Sequence, residues 1–198
     1  YALSNVSNDG ISGQYSSLAQ TVAPVFANQD AYHRCTTADK FGTICLPFGS
    51  KNYTGATFYE CVGKETGKVI LGSVKTLVAG TPYIFLASAT EVAVYGDGTT
   101  AATPGSKNGL VGTFEEIEVP NGMYILYNNA FCTNEPAGTL NKIRANRAYL
   151  NMNDVPGEFT KMPGRRYIGM SVQGENETTG VEDLFTTDAP VKVIENGQ

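Results

Sequence analysis

Short apolar runs alternate with turn-forming residues along most of the chain. The runs are rich in Val, Ile, Tyr, Phe and Thr, a composition typical of β-strands. They cover residues 31–36, 42–48, 56–62, 68–71, 82–87, 91–95, 109–114, 117–119, 123–127, 145–150 and 166–172. No segment shows the 3.6-residue apolar period and the caps of a helix. Strands that follow one another without helices predict an all-β fold, an antiparallel β-sandwich of jelly-roll type with little helix.

Two of these runs indicate how their strands are covered. Residues 83–86 are apolar throughout, which predicts a strand buried on both faces. In residues 91–95, valines alternate with Glu91 and Ala93, so one face of that strand is expected to lie in water.

The turn signals between the runs predict one hairpin in particular. Residues 120–122 read Pro-Asn-Gly and lie between the runs 117–119 and 123–127. Asn-Gly accepts positive φ at both central positions of a tight turn. The sequence therefore predicts that these two runs pair as a β-hairpin.

The polar composition of both ends suggests three parts. Residues 1–30 are rich in Ser, Asn, Gln, Gly and Ala, and we interpret them as an N-terminal arm or the end of a preceding module. Residues 31–172 form the predicted β-sandwich domain. Residues 173–198 begin as an acidic linker and end with the alternating run 190–194, the predicted start of a C-terminal segment.

Composition and charge narrow the class of protein. Of the 198 residues, 41% are hydrophobic and 17% are charged, which suits one packed core rather than a disordered chain. The net charge is −5, and the scattered Lys and Arg residues argue against a nucleic-acid partner. No apolar run approaches the roughly 20 residues that span a bilayer, so no transmembrane segment is expected.

The four cysteines leave the redox state open. Cys35, Cys45, Cys61 and Cys132 allow two disulfides in three alternative pairings. Cys45 and Cys61 lie in apolar runs, which favours small core side chains over bridges at these two positions.

Little in the sequence points to catalysis or metal binding. His33 is the only histidine, and no Gly-x-Ser-x-Gly turn is present, which favours an ordinary strand or rim histidine. His33, Cys35, Cys45 and Cys61 do not match the spacing of a zinc site. We therefore predict that the chain is not an enzyme and uses neither a metal nor a cofactor.

Aromatic side chains are the best candidates for binding. Tyr53, Tyr95, Tyr124 and Tyr127 lie near turns or strand ends, where their rings could stack on a sugar or contact a partner. Packing in the core or along a sheet edge is the alternative role of the same rings.

Several ordered motifs carry a resemblance to a known group of proteins. They occupy residues 41–48, 55–59, 79–85, 109–114 and 146–150. In this order they resemble a β-rich, adhesin-like module of large cell-surface and secreted proteins of Bacteroidetes. Residues 179–183 and 191–194 are similar to the start of the C-terminal, sorting-type segment of such proteins. The resemblance implies a β-sandwich that is extracellular or displayed on the outer cell surface.

Together these observations predict a non-catalytic cell-surface module for adhesion, display or glycan contact. The predicted partner is a glycan of host or dietary origin, or a protein. Two alternatives stay open: an accessory domain of a surface glycan-degrading enzyme, and a structural spacer.

Overall fold

A computed structural model describes residues 11–12, 30–133, 142–158 and 167–174. Most of the predicted N-terminal arm and the strand predicted at 190–194 lie outside the described residues, so the three-part division stays a prediction. Within the described residues the chain forms β-strands and one 3-10 turn at Met152–Asp154, with no α-helix. The predicted all-β fold is confirmed.

The strands are numbered β1 to β16 along the chain, and most of them match the apolar runs. The first eight are β1 Ile11–Ser12, β2 Ala31–Cys35, β3 Phe41–Cys45, β4 Asn52–Thr54, β5 Ala56–Glu65, β6 Lys68–Val74, β7 Pro82–Ala87 and β8 Glu91–Tyr95. The others are β9 Ser106–Lys107, β10 Leu110–Thr113, β11 Ile117–Glu118, β12 Tyr124–Tyr127, β13 Ala130–Thr133, β14 Lys142–Ile143, β15 Arg147–Leu150 and β16 Tyr167–Val172.

Ten strands form one large curled sheet, in the order β3-β7-β5-β6-β16-β13-β12-β15-β10-β9. The curl brings the edge strand β3 against β15. The Thr43 hydroxyl lies 3.0 Å from both the carbonyl oxygen and the backbone nitrogen of Ala148, and the Cys45 N–H donates to the Asn146 carbonyl at 3.2 Å. These bonds satisfy part of the β3 edge and give the sheet a barrel-like shape.

The largest apolar cluster fills the inside of this curl. Alternate residues of β6, β13, β15 and β16 point inward, as the two-residue period of a strand requires. Fully or almost fully buried members are Cys61, Val69, Leu71, Ile84, Leu110, Phe131, Ala148, Leu150, Val155, Ile168 and Met170.

A second sheet packs as a layer over the β3–β7–β5 part of the first, in the order β1-β2-β8-β4. Between the layers lies a second apolar cluster that includes Tyr32, Phe85 and Val94. Arg34 also links the layers, because its guanidinium lies 4.8 Å from the centre of the Phe85 ring and donates to the Thr43 carbonyl at 3.0 Å. As predicted, β7 is buried on both faces.

The predicted hairpin at Asn121-Gly122 is wrong in its strand pairing. A turn forms there, with Met123 N–H donating to the Pro120 carbonyl at 3.2 Å, but β11 pairs with β14 and not with β12. Instead β12 pairs with β13 through the two-residue link Asn128–Asn129, where φ is 48° and 66°. Two positive φ values give the turn twist that a two-residue hairpin needs. The β11–β14 pair forms a small separate layer, whose cluster is Val119, Ile125 and Ile143.

The pairing of β16 with β6 is parallel, an exception to the predicted antiparallel pairing. β16 is distant from β6 in the sequence, and it lies between β6 and β13 in the sheet. Its residues Ile168, Met170 and Val172 complete the interior cluster, so burial determines its position more than a local turn does.

The cysteine thiols are all free. Cys45, Cys61 and Cys132 are buried, and Cys35 is exposed. The interpretation of Cys45 and Cys61 as core side chains is confirmed.

Candidate functional site

Two of the four tyrosines singled out in the sequence are packed against the protein itself. The Tyr53 ring meets the Phe58 ring edge-on at 4.7 Å, and its hydroxyl donates to the Val74 carbonyl at 3.3 Å. Tyr124 is only 8% exposed in the interior cluster, and burial raises its pKa above the ordinary value.

The other two tyrosines reach the surface on different sheets. Tyr127 ends β12 and is 56% exposed, whereas Tyr95 ends β8 and is half-buried. The four side chains therefore do not form one site. Ligand binding by any of them stays a prediction, and Tyr95 has the neighbours best suited to it.

Among the described residues, Tyr95 belongs to the face of the four-stranded sheet opposite the one that packs on the curled sheet. Residues paired directly across two strands share a face, and Tyr32, Val92 and Val94 take the opposite, inward face. We call the outward one the outer face. Its side chains on β2, β8 and β4 are Ala31, His33, Cys35, Glu91, Ala93, Tyr95, Asn52 and Thr54.

The centre of the outer face is a connected group of three side chains. His33 Nδ1 lies 2.8 Å from Glu91 Oε1, and the His33 ring meets the Tyr95 ring edge-on at 5.8 Å. From Glu91 to Tyr95 the strand rises by about 14 Å, at about 3.4 Å per residue. The group thus presents a carboxylate, an imidazole and an aromatic ring in sequence along the sheet.

A small residue lies beneath this group. Ala93 is opposite both His33 and Thr54 in the strand register and is only 3% exposed. Its methyl group is therefore almost completely covered. Asn52 and Thr54 are exposed on β4 and add an amide and a hydroxyl along one side.

Buried Ser50 holds β4 in place beside Tyr95. The Ser50 hydroxyl donates to the Tyr95 carbonyl at 2.6 Å and accepts from the Asn52 N–H at 3.0 Å. At the other end of β4, Gly55 has φ +78°, and a Cβ there would collide with the Glu91 carbonyl. Only glycine tolerates both that backbone angle and that close approach, so the β4 corner is fixed against β8.

The loop that follows Tyr95 is also ordered locally. Asp97 Oδ1 accepts from the Thr99 hydroxyl at 2.6 Å and from the Thr99 N–H at 3.0 Å. These bonds, with the side-chain hydroxyl as the largest contribution, lower the pKa of Asp97. The carboxylate therefore stays charged at neutral pH and closes a tight turn at the end of β8.

The solvent exposure of the outer face favours contact with a ligand over chemistry on one. The His33 and Glu91 side chains are 40% and 55% exposed. An imidazole oriented by a carboxylate is also part of a catalytic triad. Strong electrostatic stabilisation of a reaction needs a site from which water is excluded, unlike this open pair.

Two other features are absent from the described ranges. No group of three His, Cys, Asp or Glu residues there is arranged to hold a metal ion. In the same ranges, no helix has the length and apolarity needed to cross a membrane.

The sequence did not reveal His33, Glu91, Asn52 and Thr54 as neighbours of Tyr95. The two-residue alternation in 91–95 placed Glu91 and Tyr95 on one strand face. The pairing of β2 with β8 joins residues 58 positions apart, and no local signal in the sequence shows that pairing.

Comparison of the chain with protein-family models, with curated proteins and with solved structures finds no match.

Proposed function

We propose that the chain is a non-catalytic binding module that contacts carbohydrate through the outer face of its four-stranded sheet, as part of an extracellular or cell-surface protein. The observation that carries the proposal is the combination of the Tyr95 ring with the exposed His33–Glu91 pair on one face of the sheet. Adhesion or display would follow from this contact.

The chemistry of these groups matches that of a sugar. A pyranose offers an apolar C–H face that packs on an aromatic ring, and hydroxyls that both donate and accept hydrogen bonds. Glu91 supplies acceptor oxygens, Asn52 supplies both roles, and Thr54 supplies a hydroxyl.

Rigidity of the supporting strands also favours binding. The backbone at Tyr95 is tied to buried Ser50, and the β4 corner at Gly55 is packed against Glu91. Side chains that are held before the ligand arrives lose less conformational entropy on binding, which raises affinity.

The test is a glycan array that compares three forms of the full chain. The array carries plant, mucin and microbial oligosaccharides. Wild type is expected to bind a subset, and Tyr95→Ala is expected to bind it about tenfold more weakly, because the stacking ring is lost. Tyr127→Ala is the matched control, since it removes an exposed tyrosine from the other sheet, and it is expected to bind like wild type.

Two outcomes would overturn the proposal. Silence of wild type on the array would favour a structural spacer, and equal loss in Tyr95→Ala and Tyr127→Ala would remove the outer face from the mechanism. Hydrolysis of a p-nitrophenyl ester or glycoside that disappears in His33→Ala would contradict the non-catalytic role and favour an enzyme.

A further inference from the structure

Two Asn-Gly pairs in the described residues lie in opposite environments. Asn108-Gly109 links β9 to β10, and Asn121-Gly122 forms the turn before β12. Asn-Gly is chemically special because glycine leaves its own N–H unshielded beside the asparagine amide. The two pairs therefore allow the reactivity of the same dipeptide to be compared in two environments of one fold.

Asn108 is locked in place. Its Nδ2 donates to the Cys61 carbonyl at 2.6 Å, and its backbone φ is 47°. Gly109 is buried, and a Cβ there would collide with Val155. The Asn108 side chain cannot turn toward the following nitrogen without breaking this hydrogen bond and disturbing packed neighbours.

Asn121 lies in open surroundings. Asn121 and Gly122 are both exposed, and a Cβ at Gly122 would meet no atom of the described residues within 4 Å. The turn is closed by a backbone hydrogen bond of 3.2 Å from the Met123 N–H to the Pro120 carbonyl. An exposed Asn121 beside an uncrowded Gly122 leaves its amide, within the described residues, without the packing that holds Asn108.

We propose that Asn121 is a site of spontaneous deamidation in the folded protein, and that the fold protects Asn108 from the same reaction. The Gly122 nitrogen attacks Asn121 Cγ and loses its proton, and the Cγ–Nδ2 bond breaks to release ammonia. Water then opens the cyclic imide at either carbonyl, which leaves aspartate or isoaspartate. The reaction needs only water and no enzyme, oxidant or metal.

The product alters the surface around this turn. Each event adds one negative charge to a chain whose net charge is −5. The new carboxylate lies close in sequence to Glu118 and directly after Val119 and Pro120, next to the β11–β14 layer. Isoaspartate also lengthens the backbone of the turn by one carbon atom.

The test follows the two sites separately in the folded full chain. The protein is incubated at mildly alkaline pH and then digested with a glutamate-specific protease, because Glu115, Glu116 and Glu118 separate the two pairs. The Asn121 peptide is expected to gain about one mass unit. The Asn108 peptide is expected to react at least about tenfold more slowly, since the hydrogen bond of its side chain must break first.

The controls decide whether the fold causes the difference. In urea-unfolded chain, both peptides are expected to react at similar rates. Asn121→Ser is expected to remove the more acidic species on ion exchange, apart from any product of the Asn-Gly pair at 196–197, which has its own peptide. Equal rates at Asn108 and Asn121 in the folded chain, or no reaction at Asn121, would overturn the proposal.

Discussion

Gly112 of β10 shows how tightly the curled sheet closes on itself. A Cβ at this position would collide with both Sγ and Cβ of Cys45 on β3. At Gly63, in contrast, a Cβ would meet its nearest neighbours at an ordinary 3.8 Å. The absence of a side chain at Gly112 is therefore a packing requirement and not a turn requirement.

Gly112→Ala is expected to lower the free energy of unfolding by about 1–3 kcal/mol, because a methyl group must fit into a filled contact. Gly63→Ala, the control, is expected to change it by less than about 1 kcal/mol. Urea denaturation measures both. Adding Cys45→Ala to Gly112→Ala should recover part of the loss, and equal effects at Gly112 and Gly63 would contradict the close contact.

Buried thiols make the protein sensitive to alkaline pH. Burial raises the pKa of Cys45 and of Cys61 from 9.0 to about 12. The folded state then keeps protons that the unfolded state loses above about pH 9, so stability is complete below pH 9 and falls as pH rises toward 12.

A double variant with Cys45→Ala and Cys61→Ala is expected to show a flatter decline of stability from pH 9 upward than wild type. Cys35→Ala removes an exposed thiol instead and should leave the slope unchanged. Urea midpoints measured across this pH range give the slopes. A slope that Cys35→Ala flattens as much as the double variant does would count against burial as the cause.

The β12–β13 hairpin depends on an asparagine turn that also joins it to a distant turn. Asn129 Oδ1 accepts from the Phe41 N–H at 2.9 Å, and its Nδ2 donates to the Asp39 carbonyl at 3.1 Å. Asn128, its neighbour in the turn, has only a 3.4 Å contact with Lys40 Nζ at the surface. Both residues have positive φ.

Asn129→Gly is expected to destabilise the protein by about 1–3 kcal/mol, since two hydrogen bonds are lost while the backbone angle stays allowed. Asn128→Gly tests the same substitution without those bonds and should remain within about 0.5 kcal/mol of wild type. Thermal unfolding distinguishes the two variants. Equal melting temperatures would show that the Asn129 side chain contributes nothing.

The same hairpin shows what the sequence could and could not reveal. Alternation and β-branched residues located most strands, because both depend on local burial. The Asn-Gly pair at Asn121 predicted a hairpin between the runs 117–119 and 123–127. Instead, β12 forms its hairpin with β13, through the turn at Asn128–Asn129. Local turn chemistry permits a hairpin but does not fix the partner, because β11 pairs with β14 and packs in the same apolar cluster as Ile125 of β12.

Across the whole molecule, the candidate site results from pairing between distant segments. His33, Glu91 and Asn52 come from three strands that are far apart in sequence, and the register alone brings them together. Arg34 holds this sheet on the curled one through Phe85 and Thr43. The sequence therefore predicted Tyr95 as a candidate but could not predict its neighbours.

The most direct measurement is an NMR titration of the isotope-labelled full chain with a mixture of cello-, xylo-, manno- and chito-oligosaccharides. Binding is monitored through the chemical shifts of the backbone amides. Carbohydrate contact predicts saturable shifts concentrated at residues 31–35, 52–54 and 91–95, and their loss in Tyr95→Ala. Shifts concentrated around Tyr127 and Tyr167 instead, or none that saturate, would contradict binding at the outer face.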